Sequence, residues 1–245
     1  MTALALTAVA KSFSGLNVIP GLDMRVERGE RRLIIGPNGA GKTTLFNLIA
    51  GEYPLDAGRI EILGRDVTRT PARRRAHLGL ARTYQIITLF AANSLRENVA
   101  LALLGLSPLR WNAWSRLVGR NSLMREADEV LARVGLESLA ARPLREVAYG
   151  EQRRVEIAMA LAQRPQVLLL DEPFAGLSMS ERADVAKLLA SIPRDVTIVM
   201  IEHDMDVALE FAEKISVMHF GQIAVEGERA EVVANPRTRE IYLGD

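Results

Sequence analysis

Cysteine is absent from the 245 residues, which excludes disulfides, thiolate metal ligands and cysteine nucleophiles. An excess of one charge is also absent: 31 basic against 30 acidic residues leave +1 at pH 7, with no general electrostatic case for wrapping nucleic acid. The best local basic run, Arg73-Arg74-Arg75, has no interleaved aromatics and reads as solvated surface or a partner contact. Apolar runs fall far short of the roughly 20 residues that span hydrocarbon, and no charged segment feeds a long apolar core near residue 1. A chain that is soluble by itself is expected, able to sit on a membrane protein. Its length suits one large α/β domain, or one domain with a smaller lobe.

Short strands are expected at 4–9, 22–26, 32–35 and 59–62, set off by Gly, Pro or Asp. Leu33-Ile34-Ile35 is continuously apolar, the pattern of a strand covered on both faces. A helix at 44–50 follows, with Gly51 as its stop. Helical spacing then dominates at 94–104, 123–134 and 153–163, the last carrying a Val155, Ala158, Met159 and Ala162 stripe. Strands at 167–170, 196–201 and 214–218 alternate with helices at 181–191 and 205–211, and Asn235-Pro236 interrupts the tail before 238–243. This order implies a mostly parallel sheet with helices on its faces and a helical lobe inserted at 86–163.

Between the apolar strand and the first helix stands Gly36-Pro37-Asn38-Gly39-Ala40-Gly41-Lys42-Thr43-Thr44. Glycines let a phosphate approach backbone N–H groups more closely than side chains permit. The helix N-terminus faces the anion, Lys42 reaches the β and γ oxygens of a nucleotide, and the Thr43 hydroxyl can ligate magnesium. A second apolar run, Val167-Leu168-Leu169-Leu170, ends in Asp171, a carboxylate placed to reach the same metal directly or through water. The adjacent Glu172 can act as general base or hold a water in line with the γ phosphate. Neither an H-R-D nor a D-F-G kinase element occurs, nor an Asn-Lys-x-Asp guanine reader, so water is the better acceptor and ATP the better nucleotide.

The ordered set Phe13, residues 36–44, Gln85, 147–151, Asp171-Glu172, 175–178 and His203 resembles the ATP-binding subunit of an ABC transporter over essentially the whole chain. The segments 81–85 and 149–158, the stretch around Trp111 and Trp114, 201–205 and the terminal Tyr242-Leu-Gly-Asp245 look more narrowly like the LivG-type subunit of branched-chain amino acid importers. The resemblance implies an α/β fold: a P-loop NTPase core of ABC type over 1–245, with an N-terminal antiparallel sheet region and an inserted helical subdomain at 86–163. It implies that Phe13 stacks on adenine, that Gln85 senses magnesium and the γ phosphate, and that His203 contacts the γ phosphate and positions water. The signature that meets the ATP of an opposite subunit corresponds to Val147-Ala148-Tyr149-Gly150-Glu151. Ala148 lacks the usual serine hydroxyl. In the 175–178 loop, Ser178 stands where aspartate is usual and can equally cap the following helix.

The implied partners are a second ABC ATPase subunit, a copy or, as the LivG-type resemblance favours, a related chain, two transmembrane permease subunits and a solute-binding protein. No nucleic acid is expected. The place would be the cytoplasmic face of the cell membrane, with 86–90 as an apolar socket for a membrane-subunit helix. Trp111 and Trp114 are expected to pack in the inserted lobe. A lipopolysaccharide-export ABC ATPase and a non-transport ABC ATPase are the alternatives. The latter normally needs a long coiled-coil insertion or DNA-binding apparatus, and no sustained heptad stretch occurs.

Overall fold

Three apolar runs become the buried centre of a six-stranded sheet in the computed structural model, which describes residues 1–84, 89–107, 113–203 and 209–243, without the side chains of 113–120 and 243. β3 (Arg31–Ile35), β7 (Val167–Asp171) and β8 (Thr197–Ile201) are buried at every position. A strand covered on both faces has no polar side, which is why these segments lack alternation. The sheet runs β10-β9-β3-β8-β7-β6, completed by β6 (Leu80–Arg82), β9 (Lys214–His219) and β10 (Gln222–Glu228). All its pairings are parallel except β10 with β9.

A second, antiparallel sheet has the order β2-β1-β4-β5, from β1 (Thr2–Phe13), β2 (Leu16–Glu27), β4 (Ala57–Ile62) and β5 (Arg65–Asp66). Pro20-Gly21 was expected to bound the strand at 22–26. Instead β2 runs through it, because β2 lies at the sheet edge, where the missing proline N–H costs little. Leu4, Leu6 and Ile60 of this sheet join Ile34, Leu169 and Val199 of the other in one apolar cluster. Leu45, Phe46 and Ile49 of α1 (Lys42–Ala50) complete it. Each such fully buried side chain contributes about 1.5–3 kcal/mol, and together they hold α1 against both sheets.

The fold divides into two units, one of residues 1–82, 166–173 and 192–245 and the other of 83–165 and 174–191. The second unit therefore takes in 174–191 besides the stretch read as the inserted lobe. It is built from α3 (Leu95–Leu106), α4 (Ala113–Arg133), α5 (Tyr149–Ala162) and α6 (Met179–Ser191). Ser94 and Glu97 cap α3 reciprocally: the Glu97 N–H donates to Ser94 Oγ at 3.2 Å and the Ser94 N–H to Glu97 Oε2 at 2.9 Å. On α5, Arg153 and Glu156 are buried and paired at 2.7 Å. They also clasp the Tyr84 backbone, Arg153 donating to its carbonyl at 3.1 Å and Glu156 accepting its N–H at 2.8 Å.

Three short helices are additional to those expected: α2 (Ala72–His77), α7 (Arg229–Ala234) and α8 (Pro236–Leu243); the tail is interrupted at Asn235, between the last two, and Pro236 opens α8. Of the helix expected at 205–211, residues 204–208 lie outside the described residues and 209–211 are helical.

The arginine run needs correction. Arg73 and Arg74 are exposed, but Arg75 is buried and donates to the carbonyls of Leu48, Ile49 and Thr70 at 2.7, 2.8 and 2.8 Å. It thereby caps the C-terminal end of α1, whose last carbonyls have no partner within the helix. Burial pushes its guanidinium down to about 10, which still leaves it charged at neutral pH. Arg75→Lys keeps the charge but cannot reproduce the fork. It is expected to lower unfolding stability by about 1–3 kcal/mol in denaturant titration, while Arg73→Ala and Arg74→Ala stay within about 0.5 kcal/mol of the parent.

Candidate nucleotide site

The chain leaves β3 at Ile35 and turns through residues 36–41 into α1. Gly36 sits at φ +155°, and a Cβ there would lie 2.2 Å from the Met218 carbonyl oxygen, so no other residue fits without moving β9. The loop is closed by Ala40 N–H to the Pro37 carbonyl at 3.2 Å and Gly221 N–H to the Ala40 carbonyl at 3.0 Å, with Asn38 and Gly39 exposed at its tip. Gly41 is the N-cap of α1, and among the described residues no side chain caps that end and no acid lies in its first turn. First-turn amides and the helix dipole there favour an anion.

Lys42 is buried and donates from Nζ to the carbonyls of Gly36 at 2.6 Å and Pro37 at 3.1 Å. Burial holds its ammonium below the ordinary lysine value, opposed by the negative charges of Glu172 and then Asp171. One residue on, Thr43 is exposed, and Thr44 is half-buried beside it.

β8 sets the spacing of the acidic side. Ile201 pairs with Ile34 of β3 on one flank and with Asp171 of β7 on the other. Asp171 is buried, and its Oδ2 accepts from Arg82 Nη2 at 2.8 Å. Arg82 also donates to Asn47 Oδ1 at 2.6 Å and lies 5.6 Å from the centre of the Phe46 ring. Glu172 has φ +47°, a left-handed conformation that costs a non-glycine residue about 1–2 kcal/mol, and its N–H donates to the Ile201 carbonyl at 3.0 Å. Strain of this kind is concentrated where a side chain must be aimed. Its Oε1 lies 3.5 Å from His203 Nδ1, and the His203 side chain is 58% exposed.

Thus the 36–44 loop, Asp171, Glu172 and His203 come together in the first unit. Phe13 is also in this unit, at the end of β1, 38% exposed, with Tyr53 edge-on at 5.4 Å and Lys11 Nζ 5.3 Å from its ring centre. Gln85 lies outside the described residues, as do 86–88 and Trp111; Trp114 falls in α4 with its side chain undescribed.

Three residues here received no role from sequence. Arg82 lies inside the 81–85 segment that carries the LivG-type resemblance, and a charged residue closing an apolar strand was the available signal. Glu202 is buried and accepts the His203 N–H at 3.1 Å. Tyr242 turns its hydroxyl to the Gly36 backbone; burial pushes the phenol up to about 12, with the Gly36 amide pulling the other way.

The donor set also bears on a metal. Thr43 hydroxyl and Asp171 carboxylate are hard oxygen donors of the kind magnesium takes. Among the described residues no three or more of His, Cys, Asp and Glu gather into a metal cage. These two donors fit an ion whose remaining positions phosphate oxygens and water would fill.

The second unit carries the 147–151 segment. Ala148 is the N-cap of α5, with no hydroxyl to offer, and its N–H is taken by Glu151 Oε2 at 2.8 Å. Tyr149 is exposed, and the Gly150 N–H donates to Glu181 Oε1 at 3.0 Å. Ser178 caps α6: its Oγ accepts the Glu181 N–H at 3.4 Å, and its own N–H and hydroxyl donate to Glu181 Oε2 at 2.9 and 2.6 Å.

The family description "ABC transporter" matches residues 19–175. The chain belongs to the ABC transporter family. A probable ABC transporter ATP-binding protein of Azorhizobium caulinodans is 35% identical over 99% of this chain and 83% of its own. The high-affinity branched-chain amino acid transport ATP-binding protein LivG of Salmonella typhimurium is 33% identical over 99% and 98%. A crystal structure of the ADP conformation of MJ1267, an ATP-binding cassette of an ABC transporter, matches at TM-score 0.87 and 30% identity over 100% of both chains.

The protein is thus the ATP-hydrolysing cassette of an ABC transporter, with the α/β P-loop core, antiparallel sheet and helical elements of that fold. Within the cassette, the Arg82–Asp171 pair is buried, and removing one side leaves the other charge without its 2.8 Å ion-pair partner. Arg82→Leu is expected to destabilise the chain by about 3–5 kcal/mol, and Asp171→Asn in the same background to recover a substantial part; a denaturation double-mutant cycle measures both.

Proposed function

We propose that the cassette hydrolyses ATP with magnesium to power import of branched-chain or related amino acids through a membrane ABC transporter. The observation that carries the chemistry is the juxtaposition, in one unit, of a buried lysine inside the 36–44 loop with two successive carboxylates at the end of β7. The import reading rests on the likeness to LivG over nearly the whole of both chains.

In this reading the amides of Gly36, Pro37, Asn38, Gly39, Ala40 and Gly41 cradle the phosphates, with Thr44 beside them. Lys42 moves from its carbonyl partners to the β and γ oxygens, an exchange of neutral for charged acceptors that strengthens each hydrogen bond. Thr43, Asp171 and Gln85 would hold a magnesium ion, which would supply charge neutralisation to the phosphates. Glu172 accepts the proton of the attacking water, and His203, with Glu202 holding its backbone, positions that water. Phe13 stacks on adenine with its partly exposed ring, which Tyr53 meets edge-on. Tyr149, Gly150 and Glu151 face the ATP of a second, related ATPase subunit, so each complete site takes residues from two chains.

The remaining partners are two permease subunits and a solute-binding protein, with the cassette peripheral at the cytoplasmic face of the membrane. Among the described residues no helix is long and apolar enough to cross a bilayer. We take 86–163 as the helical subdomain that meets the permease. In support, an apolar groove of about 250 Å³ lies between α3 and α4, lined by Ala100, Leu101, Leu104, Leu123 and Met124 among others. Phe90, 56% exposed, is tied by its N–H to Asn98 of α3 at 2.9 Å.

Glu172→Gln tests the base. In the assembled complex ATP binding should persist while phosphate release falls by about a hundredfold or more; unchanged release would remove Glu172 from the mechanism. The missing hydroxyl at Ala148 weakens this chain's contribution to the facing site. Ala148→Ser is expected to raise turnover or ATP affinity, by about ten- to a hundredfold if one charged hydrogen bond acts wholly in the transition state. Identical kinetics in the two forms would show that the hydroxyl is not needed.

A further inference from the structure

Glu181 joins two segments that the function proposed above does not connect. Its Oε1 accepts the Gly150 N–H at 3.0 Å, and its Oε2 accepts the N–H and hydroxyl of Ser178 at 2.9 and 2.6 Å. Gly150 is the second residue of α5, so its amide is one of the first-turn donors without a partner inside the helix. The approach is close: a Cβ on Gly150 would lie 2.6 Å from both Cγ and Oε1 of Glu181. A second contact runs parallel to the first, since a Cβ on Gly176 would lie 3.2 Å from the Tyr149 ring.

The helix that should receive a partner's triphosphate therefore already holds an anion from its own chain. A carboxylate and a phosphate oxygen cannot share one N–H, and two anions at that distance repel. The neighbouring charges do not remove the conflict. A cleft of about 160 Å³ beside Gly150 is lined by Glu151, Glu181 and Asp184 against the single cation Arg154.

We propose that Glu181 is a positioning residue that holds the Gly150 amide until the γ phosphate of the facing subunit's ATP displaces it, thereby signalling arrival to the 175–178 loop. This rests on the reading that Gly150 faces a partner's ATP. Once displaced, the carboxylate keeps only its Ser178 partners, and the link between α5 and the loop is cut on that side. Ser178, lacking a carboxylate of its own, receives the signal as a change in its hydrogen bonds with Glu181 Oε2. The ordinary lowering of the Glu181 carboxyl, caused first by the Ser178 hydroxyl and then by the Ser178 and Gly150 amides, keeps it an anion at neutral pH.

Glu181→Gln keeps the shape and removes the charge, so ATP no longer competes with an anion. In the assembled complex with MgATP, the ATP concentration giving half-maximal turnover should fall about three- to tenfold, with kcat changing less than about twofold. A purely structural cap would instead raise that concentration or leave it alone. Hydrogen exchange at the Gly150 amide of the nucleotide-free chain should quicken in the same variant, because a neutral acceptor holds the N–H less strongly. An unchanged or raised half-saturating concentration in a variant with parental melting temperature overturns the proposal. If the Gln variant fails to fold, Glu181→Ala removes both the charge and the reach to Gly150, and the same downward shift is expected; its absence again overturns the proposal. Nucleotide binding by the isolated chain separates the two layers of argument: a parent that does not bind MgATP, or binds it equally well with Lys42→Ala, defeats the underlying ATP reading itself.

Discussion

The parallel pairing of β8 with both β3 and β7 is the constraint from which the site follows. Because Ile201 lies opposite Ile34 on one side and Asp171 on the other, the loop after β3 and the carboxylates after β7 emerge at the same end of the sheet, one strand apart. A one-residue slip in either register would turn Asp171 to the opposite face. Burial of all three strands on both faces makes such a slip costly, so the apolar runs are what keep a lysine and two acids facing one another.

Charge at the strand ends is balanced locally rather than left to solvent. Lys42, Asp171 and Glu172 influence one another, Arg82 is paired with Asp171, and His203 stands beside Glu172. Opposing charges are thus already fixed on rigid elements, which lowers the reorganisation that binding an anion there would need. The same economy appears in the second unit, where Glu151 and Glu181 occupy first-turn amides of α5 and where Arg153 and Glu156 fix the backbone of Tyr84. Along α5, Arg153 and Glu156 are buried beside the apolar Val155, Ile157 and Ala158.

How much was legible in advance varies with the kind of signal. The 36–44 loop, the Asp171-Glu172 pair and the three buried strands were readable because local spacing and an uninterrupted apolar run carry them. The capping of α3 by Ser94 and Glu97 was equally available from spacing. Arg75 was misread because a triplet of arginines looks uniform, whereas a helix of only six residues turns one of the three inward onto the end of α1. Pro20-Gly21 misled for a similar reason, since edge position in a sheet is not written in neighbouring residues.

Sequence alone determined the chemistry this chain can offer: phosphate-binding amides, a lysine, oxygen donors for a hard cation and acids at a strand end, with no thiol and no membrane-spanning run among its residues. Its likeness to ABC cassettes rests on that same ordered set of residues. Only the tertiary structure decided which groups meet. Arg82 finds Asp171 across 89 positions, Tyr242 finds Gly36 from the far end of the chain, and Glu181 finds Gly150 across 31. Such pairings depend on how layers pack and strands register, quantities set by the burial of the whole apolar pattern rather than by any local stretch of it.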